Sequence, residues 1–194
     1  MHFKLIKVTK YCMIAIERNW IKKIVIDYLY LRRFIVLEIK RIEKADYHIL
    51  EDFIYWAIFV PAGAKLPEKS IIFNPDVFIY IENYGNENDC GVFVEIDGKT
   101  VGAAWTRIIP AYGHIDAETP ELAISILTEY RNQGIGTILM KKLFELLSQH
   151  EYKQTSLAVQ KENPAVSFYL RLGYEILREN SEEYLMVKKL AVSE

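Results

Sequence analysis

The stretch from Leu122 to Gly136 constrains the fold more than any other part of this 194-residue chain. Leu122-Ala123-Ile124-Ser125-Ile126-Leu127 is a short apolar run suited to a buried strand. A polar turn follows, and Gly134-Ile135-Gly136 then opens a helical pattern with Ile135, Ile138, Leu139, Leu143, Leu146 and Leu147 on one face. A helix start has unpaired N–H groups and about half a positive charge. Glycines remove the Cβ atoms, so a phosphate can come close to those N–H groups. The run therefore reads as a phosphate site that needs no lysine. Gly-x-Gly alone is equally compatible with an ordinary strand–turn–helix.

The rest of the chain supplies a matching α/β frame. Val36 to Ile42 alternates as a strand does. Asp46 is placed to cap a helix through Leu50, Phe53, Ile54 and Ala57, ended by Pro61 and Gly63. A second helix is expected between Asn74 and Tyr84. Gly91–Ile96 and Thr100–Ile108 read as a hairpin joined at Asp97-Gly98, because both turn positions tolerate positive φ. Thr155–Val159 is another strand. Asn163-Pro164 opens a helix through Leu172, stopped by Gly173. Tyr174–Leu177 and Tyr184–Val187 finish as strands. A helix is also expected near 15–33, although its β-branched and aromatic runs suit strands as well.

Two motifs together carry a resemblance. Arg131-x-x-Gly134-x-Gly136 resembles the coenzyme A signature of the GNAT superfamily of N-acetyltransferases. About thirty residues on, Asn163-Pro164-Ala165-Val166-Ser167-Phe168-Tyr169-Leu170-Arg171-Leu172-Gly173-Tyr174 is similar to that family's second motif: an Asn opens a helix, a Tyr sits within it and a Gly-aromatic pair ends it. The resemblance covers about residues 37–190. It implies an acetyltransferase domain over 36–194 after a basic extension, 1–35. The implied fold is a mixed central sheet, splayed into a V and flanked by helices.

The same resemblance implies acetyl-coenzyme A as cosubstrate and a primary amine as acceptor, attacking directly in a ternary complex. Backbone groups of Ile126 and Leu127 would pair with the pantetheine arm. The amides of Arg131, Asn132, Gln133, Gly134, Ile135, Gly136 and Thr137 would hold the pyrophosphate, and Asn163 would touch the cofactor or only cap its helix. An N–H of Leu127 or Ile126 would steady the oxyanion. Tyr169 matches the position of the general acid. Glu121 is a candidate base, with Asp116, Glu118 and His114 as rivals. Trp56, Phe59, Tyr80, Trp105 and Tyr112 are candidates to line the acceptor pocket, against an alternative of plain core packing. The rival reading of the whole is a non-catalytic acyl-coenzyme A sensor or interaction module.

Composition excludes several other classes. Apolar residues make up 51% and charged residues 26%, a globular composition. The net charge of −2 gives no overall reason to expect nucleic-acid binding. It is unevenly placed: residues 1–41 hold ten Lys/Arg against three Asp/Glu. That arm could pack on the acidic body, or touch a membrane surface or a nucleic acid. No apolar window is long enough for a membrane span, no signal-peptide pattern is present, and two distant cysteines suggest reduced thiols. Those points favour the cytoplasm. No His, Cys or carboxylate spacing suits a metal. The acceptor is a small molecule or a peptide, and a homodimer is open.

Overall fold

The computed structural model describes residues 36–191; the helix expected near 15–33 and most of the basic arm lie outside them. Asp97 and Gly98 both take positive φ, 51° and 78°, as a type I′ turn demands. The turn joins β2 (Cys90–Ile96) to β3 (Lys99–Arg107) in the expected hairpin. β1 (Leu37–Arg41) pairs with the other edge of β2, and the Asp97 carboxylate accepts the Val36 amide at 3.2 Å. β4 (Glu121–Ile126) runs antiparallel to β3. With β5 (Gln154–Gln160), β6 (Glu175–Glu179) and β7 (Glu183–Lys189), the result is a 7-stranded mixed sheet in the order β1-β2-β3-β4-β5-β7-β6.

Helices cover both faces. Side chains alternate across a strand, so β2 and β3 feed two separate apolar layers. On one face Leu139, Met140, Leu143 and Leu147 of α3 seal against Val92, Val94, Val101 and Ala104; α3 is Ile135–Gln149 in the element order α1 (His48–Ala57), α2 (Pro75–Phe78), α3 and α4 (Ala165–Arg171). On the other face Leu50, Phe53 and Ile54 of α1 pack with Phe93, Ala103 and Trp105. No helix among the described residues is long and apolar enough to cross a membrane.

Two expected helices differ from the structure. Asp46 ends a 3₁₀ turn, Lys44–Asp46, and its carboxylate accepts the Glu43 amide at 3.0 Å, so it cannot cap α1. α1 starts at His48 and ends at Ala57, ahead of Pro61 and Gly63, because Ile58 is already extended. The helix expected between Asn74 and Tyr84 is reduced to α2. Asn74 caps it, accepting the Asp76 amide at 3.0 Å. Beyond it the Arg107 guanidinium takes the carbonyls of Ile79 (2.9 Å), Glu82 (2.6 Å) and Asn83 (3.4 Å). In the expected helix the Ile79 carbonyl would serve the Asn83 amide, and Asn83 instead takes positive φ, 51°.

The V expected of the sheet is present. β4 and β5 share one register pair, Glu121 opposite Ser156. There the Pro120 carbonyl accepts both the Ser156 amide (3.1 Å) and the Thr155 hydroxyl (2.8 Å). Past this apex β4 stays with β3 as far as Ile126, and β5 stays with β7 as far as Gln160.

Candidate active site

The parted strands leave one row of β4 backbone groups facing the gap. In an antiparallel ladder, residues alternate between bonding to the neighbour and pointing away from it. The Leu127 amide donates to the Val101 carbonyl at 2.9 Å, which puts the odd-numbered residues of β4 in register with β3. The amides of Ile124 and Ile126 therefore face the gap. The Ile126 carbonyl is occupied by Arg131 Nε at 2.8 Å. Leu127 has neither backbone group to offer, since its carbonyl accepts the Tyr130 amide at 2.9 Å. The backbone pairing expected of Leu127 is thus corrected, and of the two candidate oxyanion donors only the Ile126 amide points into the V.

At the mouth of the V the turn before α3 presents its amides. Gly134 is the N-cap residue with φ 80°, and no side chain caps the helix. The amides of Asn132, Gln133, Gly134, Ile135, Gly136 and Thr137 have no partner among the described residues. Asn132 also has positive φ, 59°, and the Gln133 side chain folds back onto the Glu129 carbonyl at 2.9 Å. Arg131 departs from this set: its amide is bonded to Thr128, so only its side chain is left for an anion. A Cβ added to Gly134 meets nothing within 4 Å, so its open side can take a phosphate. Gly136 is different: a Cβ there would lie 3.3 Å from Phe168 and 4.0 Å from Ile126. Gly136 thus lets α3, α4 and the end of β4 meet. These features fit a coenzyme A diphosphate.

The second motif sits across the gap. Asn163 Oδ1 accepts the Ala165 amide at 2.9 Å, so it serves as a cap at the first turn of α4. Tyr169 is partly buried, with ring centroids 5.5 Å from Phe168 and 5.8 Å from Tyr174. Burial pushes its phenol up to about 12, so it keeps its proton at any physiological pH. It can therefore donate a hydrogen bond to a departing thiolate, whose pKa is near 8.5 by analogy with cysteine.

Glu121 lies at the apex and is 2% exposed. Its Oε1 accepts the Tyr80 hydroxyl and the Gly113 amide, the latter at 2.7 Å. Its Oε2 is buried and has no partner among the described residues. Burial raises the carboxyl above its ordinary value, while the Tyr80 and Gly113 hydrogen bonds and the nearby His114 pull it back. A Cβ at position 113 would stand 2.7 Å from Glu121 Cδ, so Gly113 is what lets that loop close on the carboxyl. The rival acids are exposed. Asp116 is held below the usual carboxylate range by hydrogen bonds from the Thr119 side chain and nearby amides, which makes it a weaker base. His114 is exposed beside Glu121.

The aromatic candidates separate. Trp105 is fully buried and its Nε1–H donates to the Tyr80 carbonyl at 2.9 Å, so it is core and does not line a pocket. Trp56 and Phe59 are partly buried at and beyond the end of α1. Tyr112 is 57% exposed, with Asp76 and Glu183 as charged neighbours. Sequence reasoning missed Gly113 and Arg107 altogether. Neither lies at a motif spacing, and only the fold brings them beside Glu121 and the Tyr80 segment. Among the described residues no group of His, Cys, Asp or Glu is placed to hold a metal ion.

Comparison with known proteins agrees with this fold. An N-alpha-acetyltransferase of Sulfurisphaera tokodaii is 28% identical over 143 residues, which are 65% of this chain and 84% of that protein. The ribosomal-protein-S18-alanine N-acetyltransferase of Escherichia coli superposes with a TM-score of 0.57 at 16% identity, covering 82% of this chain and 97% of that one. The PaiA N-acetyltransferase of Thermoplasma acidophilum, solved in complex with coenzyme A, gives 0.56 at 18% identity, covering 79% and 99%. The profile described as the acetyltransferase (GNAT) family matches residues 54–174, more than half of the chain, and the chain therefore belongs to that family.

Proposed function

We propose that this acetyltransferase moves an acetyl group from acetyl-coenzyme A to a primary amine by direct attack in a ternary complex, and that the amine is the α-amine of a polypeptide. The observation that carries the first part is the run of unpartnered amides from Asn132 to Thr137 at the mouth of a V whose β4 edge is unpaired. The bound cosubstrate supplies an activated thioester. The Asn132–Thr137 amides hold its diphosphate, and the Ile126 amide donates to the carbonyl oxygen as negative charge develops there. Tyr169 donates to the departing sulfur. Glu121 receives a proton from the amine.

The acceptor class rests on the N-alpha-acetyltransferase relative and on acid–base chemistry. An α-amine has a pKa of about 7.7–8.0, against about 10.4 for a lysine side chain. A buried carboxyl needs far less driving force to deprotonate the former. The test is an acceptor screen that follows free coenzyme A, run on peptides with free and blocked N-termini and on small amines. Turnover confined to free N-termini is the expected result. Turnover on lysine-bearing, N-blocked peptides alone would overturn the acceptor class. Cofactor binding by calorimetry without any turnover would leave a binding module and no enzyme.

A further inference from the structure

Glu121 is the best-placed acid for the reaction, yet it is sealed. At 2% exposure no amine can reach it from solvent without a rearrangement. What stands against it is Tyr80, which is partly exposed and whose hydroxyl donates to Glu121 Oε1. The Tyr112 amide lies against the same hydroxyl, on a loop that is itself open to solvent. A hydroxyl has one donor and two acceptor positions. With the donor on Glu121 and one lone pair towards Tyr112, a lone pair remains for an incoming N–H.

The Tyr80 backbone is anchored as if that aim mattered. Its own carbonyl is held by Trp105 Nε1, and the flanking carbonyls of Ile79 and Glu82 are held by Arg107. Arg107 is 4% exposed and also binds both carboxylate oxygens of Asp89, at 3.0 and 3.2 Å. Its guanidinium is thus committed to the protein and is not offered to a substrate. These bonds hold a run of turns in place, and the result directs one phenol at one carboxyl.

We propose that Tyr80 is a catalytic residue that relays the acceptor's proton to Glu121. The step is one of proton movement alone. An N–H bond of the acceptor ammonium breaks and its proton forms a bond to Tyr80 Oη. The original Oη–H bond breaks and that proton forms a bond to Glu121 Oε1, leaving a neutral amine, a neutral phenol and a neutral carboxylic acid. Tyr80 never has to carry a full negative charge, in keeping with burial and Glu121 pushing its ionisation far up. Other groups facing the pair are the Gly113 amide and His114 from the loop, Ser156 across the apex and Arg107 across the ladder. At the solvent side, Tyr112 stands with Asp76 and Glu183, acids that suit an approaching cation.

The relay rests on the acetyl-transfer reading above, and the experiment separates the two. Rates are measured for wild type, Tyr80→Phe, Glu121→Gln and the double variant across pH, with acetyl-coenzyme A and a free-N-terminus peptide, alongside calorimetry for cofactor binding and a proton inventory in mixed light and heavy water. Tyr80→Phe keeps every backbone anchor. It should lower kcat/KM at least about a hundredfold, the lower end of the usual range for a proton-transfer group, with cofactor affinity unchanged. The double variant should be no slower than the slower single one, because both remove the same path. The wild-type inventory should be curved, with more than one proton in flight. A Tyr80→Phe enzyme within about threefold of wild type, changed only by an upward move of its acidic limb, would make Tyr80 a donor that merely tunes Glu121 and would overturn the relay. So would a linear wild-type inventory, which also decides the matter if the variant misfolds. A wild type that binds cofactor and turns nothing over would remove the transfer reading itself, and the relay with it.

Discussion

Arg107 is the residue that anchors the segment around Tyr80. Its partners Asp89, Ile79, Glu82 and Asn83 come from a loop that has little regular structure of its own. Removing one member of a buried ion pair leaves the other charge unpaired, which costs about 3–5 kcal/mol. Arg107→Ala should therefore lose stability of that order in chemical denaturation, and adding Asp89→Asn should recover part of it. A loss under about 1 kcal/mol, the surface-pair range, would show that the pair is not buried in solution. Tyr169 makes a different prediction. Tyr169→Phe keeps both ring contacts and deletes only the donor, so turnover should fall at least about tenfold, or roughly 1.4 kcal/mol of barrier, with acetyl-coenzyme A affinity little changed. Wild-type rates in that variant would take Tyr169 out of the mechanism.

At the scale of elements, the turn into α3 joins a conformational demand to an electrostatic one, and the two can be measured apart. Gly134 has φ 80°, so any side chain there costs roughly 1 kcal/mol of strain. Gly134→Ala should show that strain as a lower Tm and still bind coenzyme A, since a Cβ meets open space. Gly134→Glu adds bulk and negative charge at the phosphate position and should abolish binding in calorimetry. Equal affinities for both variants would contradict the placement of the diphosphate. Elements of this kind were legible in the sequence because their chemistry is local. Asp97-Gly98 specifies its own turn, and Gly134 with Gly136 specifies a bare helix start. The segment after Asn74 was not legible for the opposite reason. Its helical pattern is sound, but Arg107, more than twenty residues away, holds the Ile79 carbonyl that the helix would have used, and Asn83 turns to positive φ. Asp46 was misread more simply: its carboxylate turns back to Glu43 and leaves α1 to start uncapped.

The whole molecule divides along the same line. The proposed cofactor side comes from contiguous runs, 122–137 and 163–174, whose motifs can be read in residue order. The proposed acceptor side draws on Tyr80, Arg107, Gly113 and Glu121, which only the folded sheet and its loops bring together. Its central group has a consequence for global stability. Burial raises the Glu121 carboxyl above its reference value of 4.5. Between the unfolded and folded values, the native state holds a proton that the unfolded chain has released, so unfolding free energy falls as pH rises. The contribution is full below the unfolded value and is lost as pH passes the folded one. Glu121→Gln removes that titration and keeps an oxygen for the Tyr80 and Gly113 donors. Its Tm relative to wild type should therefore rise from pH 4 towards pH 8, while its acetyl transfer falls. Activity in the wild type should run the other way from stability, with kcat/KM climbing as Glu121 loses its proton, on a limb displaced above the ordinary carboxylate range. A Tm difference that stays flat across that interval would mean that the carboxyl titrates in the native protein as it does in the unfolded chain, and the displaced limb expected of the rate would go with it.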